Sequence, residues 1–191
     1  MRTFSYTAAM TKEFAPRRLD PRNLALQGAR ITGTAALATY ARLAAETQGR
    51  GTASPVEWTA TGELRNPQHV NPEIWLHLQA HAVLALTCQR CLGEVDVPVA
   101  VDRSFRFVAD EATALAQDDE AEEDLLALSP AFDLVELVED ELLMAMPVVP
   151  RHEACPEPVK LSAVDEGFEP AADERENPFA VLQKLGLGKA R

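Results

Sequence analysis

Apolar and polar residues alternate with period two through the middle of the chain. From Ile74 to Leu86, the residues Ile74, Leu76, Leu78, Ala80, Ala82, Leu84 and Leu86 point one way, while Trp75, His77, Gln79, His81 and Val83 point the other. Successive side chains on a strand face opposite sides, so thirteen residues of this alternation predict a long strand. A second run follows in Val95, Val97, Val99 and Val101, then Phe105 and Phe107. The stretch between them, Cys88-Gln89-Arg90-Cys91-Leu92-Gly93, becomes the tip of a long antiparallel hairpin. Residues 56–65 supply another strand, with Val56, Trp58, Ala60 and Gly62 on one side, broken by Asn66 and Pro67.

Helical spacing marks the remainder. Asp133 is a good N-cap for a helix carrying Leu134, Val135, Val138, Leu142, Ala145 and Met146 on its apolar side, and Pro147 ends it. Glu136, Glu139, Asp140 and Glu141 fall largely opposite, as a solvated face or a docking surface for a basic partner. Earlier in the chain, Gly28–Gly33 reads as a short strand. Thr34 reads as the cap of a helix reaching Ala44 or Glu46. Pro16 and Pro21 interrupt an irregular lead-in over residues 1–22. Residues 110–124 hold eight acids and no base, which predicts a solvated, mobile loop. The expected organisation is one α+β domain over residues 1–155, with a long central hairpin in an antiparallel sheet and a few packed helices. A flexible linker over 156–176 and a short tail helix over 177–191, opened by Asn177 and Pro178, complete it.

Composition narrows the function classes. A net charge of −12 argues against coating nucleic acid with the whole surface, since phosphate repels it. The charge is uneven: residues 1–50 carry eight basic and three acidic side chains, the rest ten basic and 27 acidic. Arg17 and Arg18 therefore stand as candidate contacts to a polyanion, against the plainer reading of a solvated surface. No run approaches the roughly 20 apolar residues of a membrane span, and the start MRTFSYTAAMTKEF lacks the apolar core of a secretory signal. Cytoplasm is the expected compartment.

Three cysteines are an odd count that cannot all close into intramolecular disulfides, and without export thiols stay reduced. Cys88-x-x-Cys91 and His152-x-x-Cys155 offer four nitrogen and sulfur ligands in two pairs, the donor set of a four-coordinate Zn2+. The alternative is a set of unliganded thiols at a turn. A thioredoxin-like role fits less well, because that motif sits where a strand meets a helix and here a second strand follows. No Gly-rich phosphate loop, Gly-x-Ser-x-Gly elbow or His-Glu-x-x-His pair is present, so an enzyme is not expected. His77 and His81, four apart along a strand, read as an exposed sheet face.

Three blocks carry a family resemblance: CQRCLGEVDVPV (88–99), DLVELVEDELLMAMPVVPRHEAC (133–155) and NPFAVLQKL (177–185). In this order they resemble the YceD family, the large ribosomal RNA subunit accumulation proteins. The resemblance implies a non-enzymatic factor for accumulation or processing of large-subunit ribosomal RNA. Such a factor would bind that RNA or a ribosomal or processing protein, with no small-molecule substrate. The motif positions it brings forward are Cys88, Arg90, Cys91, Glu139, Asp140, Glu141, Pro147, Pro150, His152 and Cys155. Arg90, Glu139, Asp140 and Glu141 thereby join Arg17 and Arg18 as candidate binding residues. The rival function is a zinc- or thiol-based redox sensor centred on Cys88 and Cys91.

Overall fold

In the computed structural model, which describes residues 14–156 together with Gly167, five strands form one sheet in the order β1-β2-β3-β4-β5. They are β1 (Arg30–Ala36), β2 (Pro55–Arg65), β3 (Glu73–Thr87), β4 (Glu94–Val108) and β5 (Asp124–Ala127). Four helices accompany them: α1 (Pro21–Leu26), α2 (Ala41–Glu46), α3 (Glu111–Gln117) and α4 (Leu134–Met144). The class is α+β. The first four strands are antiparallel, and β5 joins the edge parallel to β4. Apart from Pro156 and Gly167, the linker and tail helix expected over 156–176 and 177–191 lie outside the described residues, as does the lead-in before Phe14.

The long hairpin forms as its alternation requires. Ile74 pairs with Phe107 at one end and Thr87 with Glu94 at the other. Leu76, Leu78, Leu84, Val99 and Phe105 are buried on one face, against Leu24, Leu43, Leu134, Val138 and Leu142 from α1, α2 and α4. The opposite face carries Gln79, His81 and Asp102 in the open. Two strand glycines are explained by close approach. A β-carbon at Gly62 would lie 2.6 Å from the backbone of Leu24, so only glycine lets α1 lie flat on β2. At Gly33 it would lie 2.2 Å from the Trp58 ring, which crosses β1 at its paired position.

Four expectations are corrected. Pro21 does not break the lead-in; it opens α1, with Asp20 as cap accepting from the Asn23 N–H at 3.1 Å. Thr34 caps no helix, because β1 runs on to Ala36 by pairing with β2, and α2 begins only at Ala41. The carboxylate that receives the first N–H groups of α2 is remote in sequence: Glu139 accepts from Arg42 at 2.7 Å and Leu43 at 3.3 Å. The acidic stretch 110–124 is not a plain loop. Asp110 caps α3 through the Thr113 N–H, and Arg106 and Arg103 of β4 pair with Glu123 and Asp124. Finally, α4 turns Leu137 and Glu141 inward together with Leu134, Val138 and Leu142, so Glu141 does not share a solvated face. No helix among the described residues is long and apolar enough to cross a membrane.

Candidate metal centre

The hairpin tip is built to present sulfur. Cys88 follows the last residue of β3, its N–H donates to the Gly93 carbonyl at 2.8 Å, and its carbonyl accepts from Leu92 at 2.9 Å. Leu92 takes a left-handed φ of 61°, and with Gly93 it returns the chain into β4. This tight turn brings the Cys91 side chain back beside Cys88. Beyond α4 the chain comes alongside, where the Gln89 N–H donates to the Pro150 carbonyl at 2.8 Å. His152 and Cys155 thereby reach the tip.

The four side chains converge. Cys88 Sγ and Cys155 Sγ are 4.0 Å apart, Cys91 Sγ and His152 Nδ1 are 3.5 Å apart, and all four ligand atoms lie within 4.8 Å of one another. Cysteine and histidine bonds to zinc of about 2.0–2.3 Å need tetrahedral ligand atoms roughly 3.5–3.8 Å apart. The arrangement therefore fits a Cys3His metal site with little adjustment, and all three thiols are free. The imidazole is also prepared. Its Nε2 sits 2.9 Å from the Glu94 carbonyl, and donating there leaves the Nδ1 lone pair facing the sulfurs. An outer hydrogen bond of this kind fixes the tautomer of metal-bound histidines.

Electrostatics point the same way. Burial pushes the Cys88 thiol up, but hydrogen bonds from the backbone of Cys91, Arg90 and His152, with one from the Cys91 side chain, bring it down to about 5. A backbone hydrogen bond at Gly93 lowers Cys91, yet burial and the sulfurs of Cys155 and Cys88 leave it raised. Three crowded sulfurs cannot all ionise beside one another without a cation to balance them. Such a set can hold a metal ion that cross-links the hairpin tip to the chain after α4.

The other sequence-predicted residues lie apart or have other duties. Arg90 turns onto the ligand loop: its Nη2 donates to the His152 carbonyl at 2.8 Å and the Glu153 carbonyl at 3.2 Å, and its Nε lies 3.1 Å from Cys155 Sγ. Glu139 and Asp140 both pair with Arg42. The Glu141 side chain is 4% exposed and pairs with Arg103 at 3.3 Å. Arg17 reaches Asp133 at 3.5 Å, and Arg18 is exposed without an ion pair among the described residues. Sequence reasoning missed Arg42 and Arg103, the partners of those acids. It also missed the Glu94 carbonyl, since no side chain signals that role. His77 does lie on the open sheet face, between Ser104 at 2.7 Å and Glu63 at 2.6 Å.

The sequence model of one protein family, described as large ribosomal RNA subunit accumulation protein YceD, matches residues 76–186. That span contains most of β3, all of β4 and α4, and the four clustered ligands. No solved structure matches the chain.

Proposed function

The chain belongs to the YceD family of large ribosomal RNA subunit accumulation proteins, and from that premise we propose that it promotes accumulation of large-subunit ribosomal RNA by binding, without catalysis. The match over residues 76–186 carries this reading. The proposed setting is the cytoplasm, and the proposed partner is the ribosomal RNA or a ribosomal or processing protein that handles it. Exposed Arg18, Arg22 and Arg30 make no ion pair among the described residues, which supports a local phosphate contact at this end. A groove of about 440 Å³ between β5 and α4 supports a basic protein partner instead. Leu126, Leu128, Phe132 and Leu137 line it, and Glu111 and Glu136 stand at its side. We assign Zn2+ to Cys88, Cys91, His152 and Cys155, where it would supply a structural cross-link.

Deletion of the gene tests the reading. The ratio of large- to small-subunit ribosomal RNA should fall, with a deficit of large subunits in sucrose gradients, most visibly during growth in the cold. Unchanged ratios and profiles would sink it. A thiol redox sensor is the second reading, supported by the 4.0 Å between Cys88 Sγ and Cys155 Sγ. Metal analysis with thiol titration separates the two: the assembly factor retains one zinc per chain, whereas a sensor shows a reversible disulfide and no stable metal.

A further inference from the structure

The guanidinium of Arg90 occupies a place that neither tip geometry nor surface solvation requires. It grips two successive carbonyls of the ligand loop, His152 at 2.8 Å and Glu153 at 3.2 Å, and lays its Nε against Cys155 Sγ at 3.1 Å. One planar fork therefore fixes both the backbone that carries two ligands and one of the ligand sulfurs. Lysine has no such fork and could not make these contacts together. The charge also matters. Three thiolates and a neutral imidazole around a divalent ion leave one net negative charge, and a guanidinium at hydrogen-bond distance from a sulfur neutralises it.

We propose that Arg90 is a positioning residue for the Cys3His site, holding His152 and Cys155 in register with Cys88 and Cys91 and balancing the charge of the loaded site. This rests on the zinc assignment above. It gives Arg90 a duty within the chain, in place of the contact to RNA or protein that its motif position suggests. Outer groups that orient metal ligands affect metal affinity by about 10–100-fold.

Arg50 provides the control. It also stands at this end of the hairpin, with Nη2 2.7 Å from Thr87 Oγ1 and Nη1 4.0 Å from Glu94, and no contact to a ligand sulfur. Full-length wild type, R90Q, R90K and R50Q would be loaded with zinc and titrated against a chelator. Each would also be loaded with cobalt(II), whose visible bands report a tetrahedral thiolate site. R90Q should lose about 10–100-fold in zinc affinity and show weakened thiolate-to-cobalt bands. R50Q should stay close to wild type, and R90K, with charge but no fork, should fall between. Zinc affinity of R90Q equal to wild type overturns the proposal, as does an equal loss in R50Q, which would mean general loosening of the tip. R90K at wild-type affinity would show that charge alone suffices and overturn the positioning role. Wild-type protein that binds no zinc overturns the zinc assignment itself, an outcome distinct from all of these.

Discussion

The two ends of the β3–β4 hairpin are closed by different chemistry. At the Ile74–Phe107 end, Phe107 meets Phe132 edge-on with ring centroids 5.2 Å apart, and Phe132 pairs with the buried Leu19 through two backbone hydrogen bonds of 2.8 Å. Apolar burial does the work there, aided by aromatic geometry. At the Thr87–Glu94 end, Leu86 and Val95 are still buried, but the turn and the incoming chain are not: Leu92 is 75% exposed and Val148 97%. The segment 150–155 is only partly buried, with Cys155 packed against the core, and backbone bonds and the Arg90 fork hold it where its two ligand-type side chains meet those of the tip. A short irregular segment can thus be positioned by polar contacts where its own apolar burial is small.

Three experiments break or sharpen this contrast. The largest effect should come from the ligand end. Isolated finger peptides draw about 10–16 kcal/mol from structural zinc, and even a part of that exceeds any single side chain here. Stripping the metal, or Cys91→Ser, should abolish amide-exchange protection around residues 88–94 while leaving the Ile74–Phe107 end protected. Equal loss at both ends would erase the distinction. Next, Phe132→Ala should cost about 2–3 kcal/mol in urea unfolding, below the cost at a fully buried site because Phe132 is only half-buried. It should leave zinc content at one per chain.

The smallest effect concerns pH. Burial raises the Glu141 carboxyl above its ordinary value of 4.5, against the pull of Arg103. The folded state then binds more protons than the unfolded one above about pH 4.5, so stability falls as pH rises through that window. Glu141→Gln should remove this slope from urea midpoints measured between about pH 4 and 7. A slope unchanged in the variant would assign it to other groups.

The sheet was legible because period-two alternation is a local signal. The β3–β4 hairpin and β2 follow from Ile74–Leu86, Val95–Phe107 and Val56–Gly62 with their faces correct. The convergence of Cys88, Cys91, His152 and Cys155 was legible because each pair is itself local, at a spacing of three residues. What was not legible depends on partners far along the chain. The cap of α2 comes from Glu139, 97 positions beyond Arg42. The acids of 110–124 read as uncompensated because Arg103 and Arg106 lie on a neighbouring strand, a relation that only the β4–β5 pairing creates. Glu141 reads as exposed from charge alone, whereas α4's packing turns it toward Arg103.

The spacing of the clasp has a consequence for synthesis. Cys155 lies 67 residues after Cys88, and the chain between them includes β4, α3, β5 and α4. At about 5–20 residues per second, the tip is made roughly 3–13 s before its second pair of ligands. During that interval β3 and β4 can already zip together, since antiparallel pairing across a short turn needs only their own residues. The two thiols of Cys88 and Cys91 meanwhile wait at the end of a finished hairpin, open to any soft metal or oxidant nearby. Closure comes last, when the stretch after α4 emerges and Gln89 finds Pro150. The clasp therefore forms only once a nascent chain has been made through Cys155, and a ribosome stalled before that point leaves a hairpin with an unguarded pair of thiols.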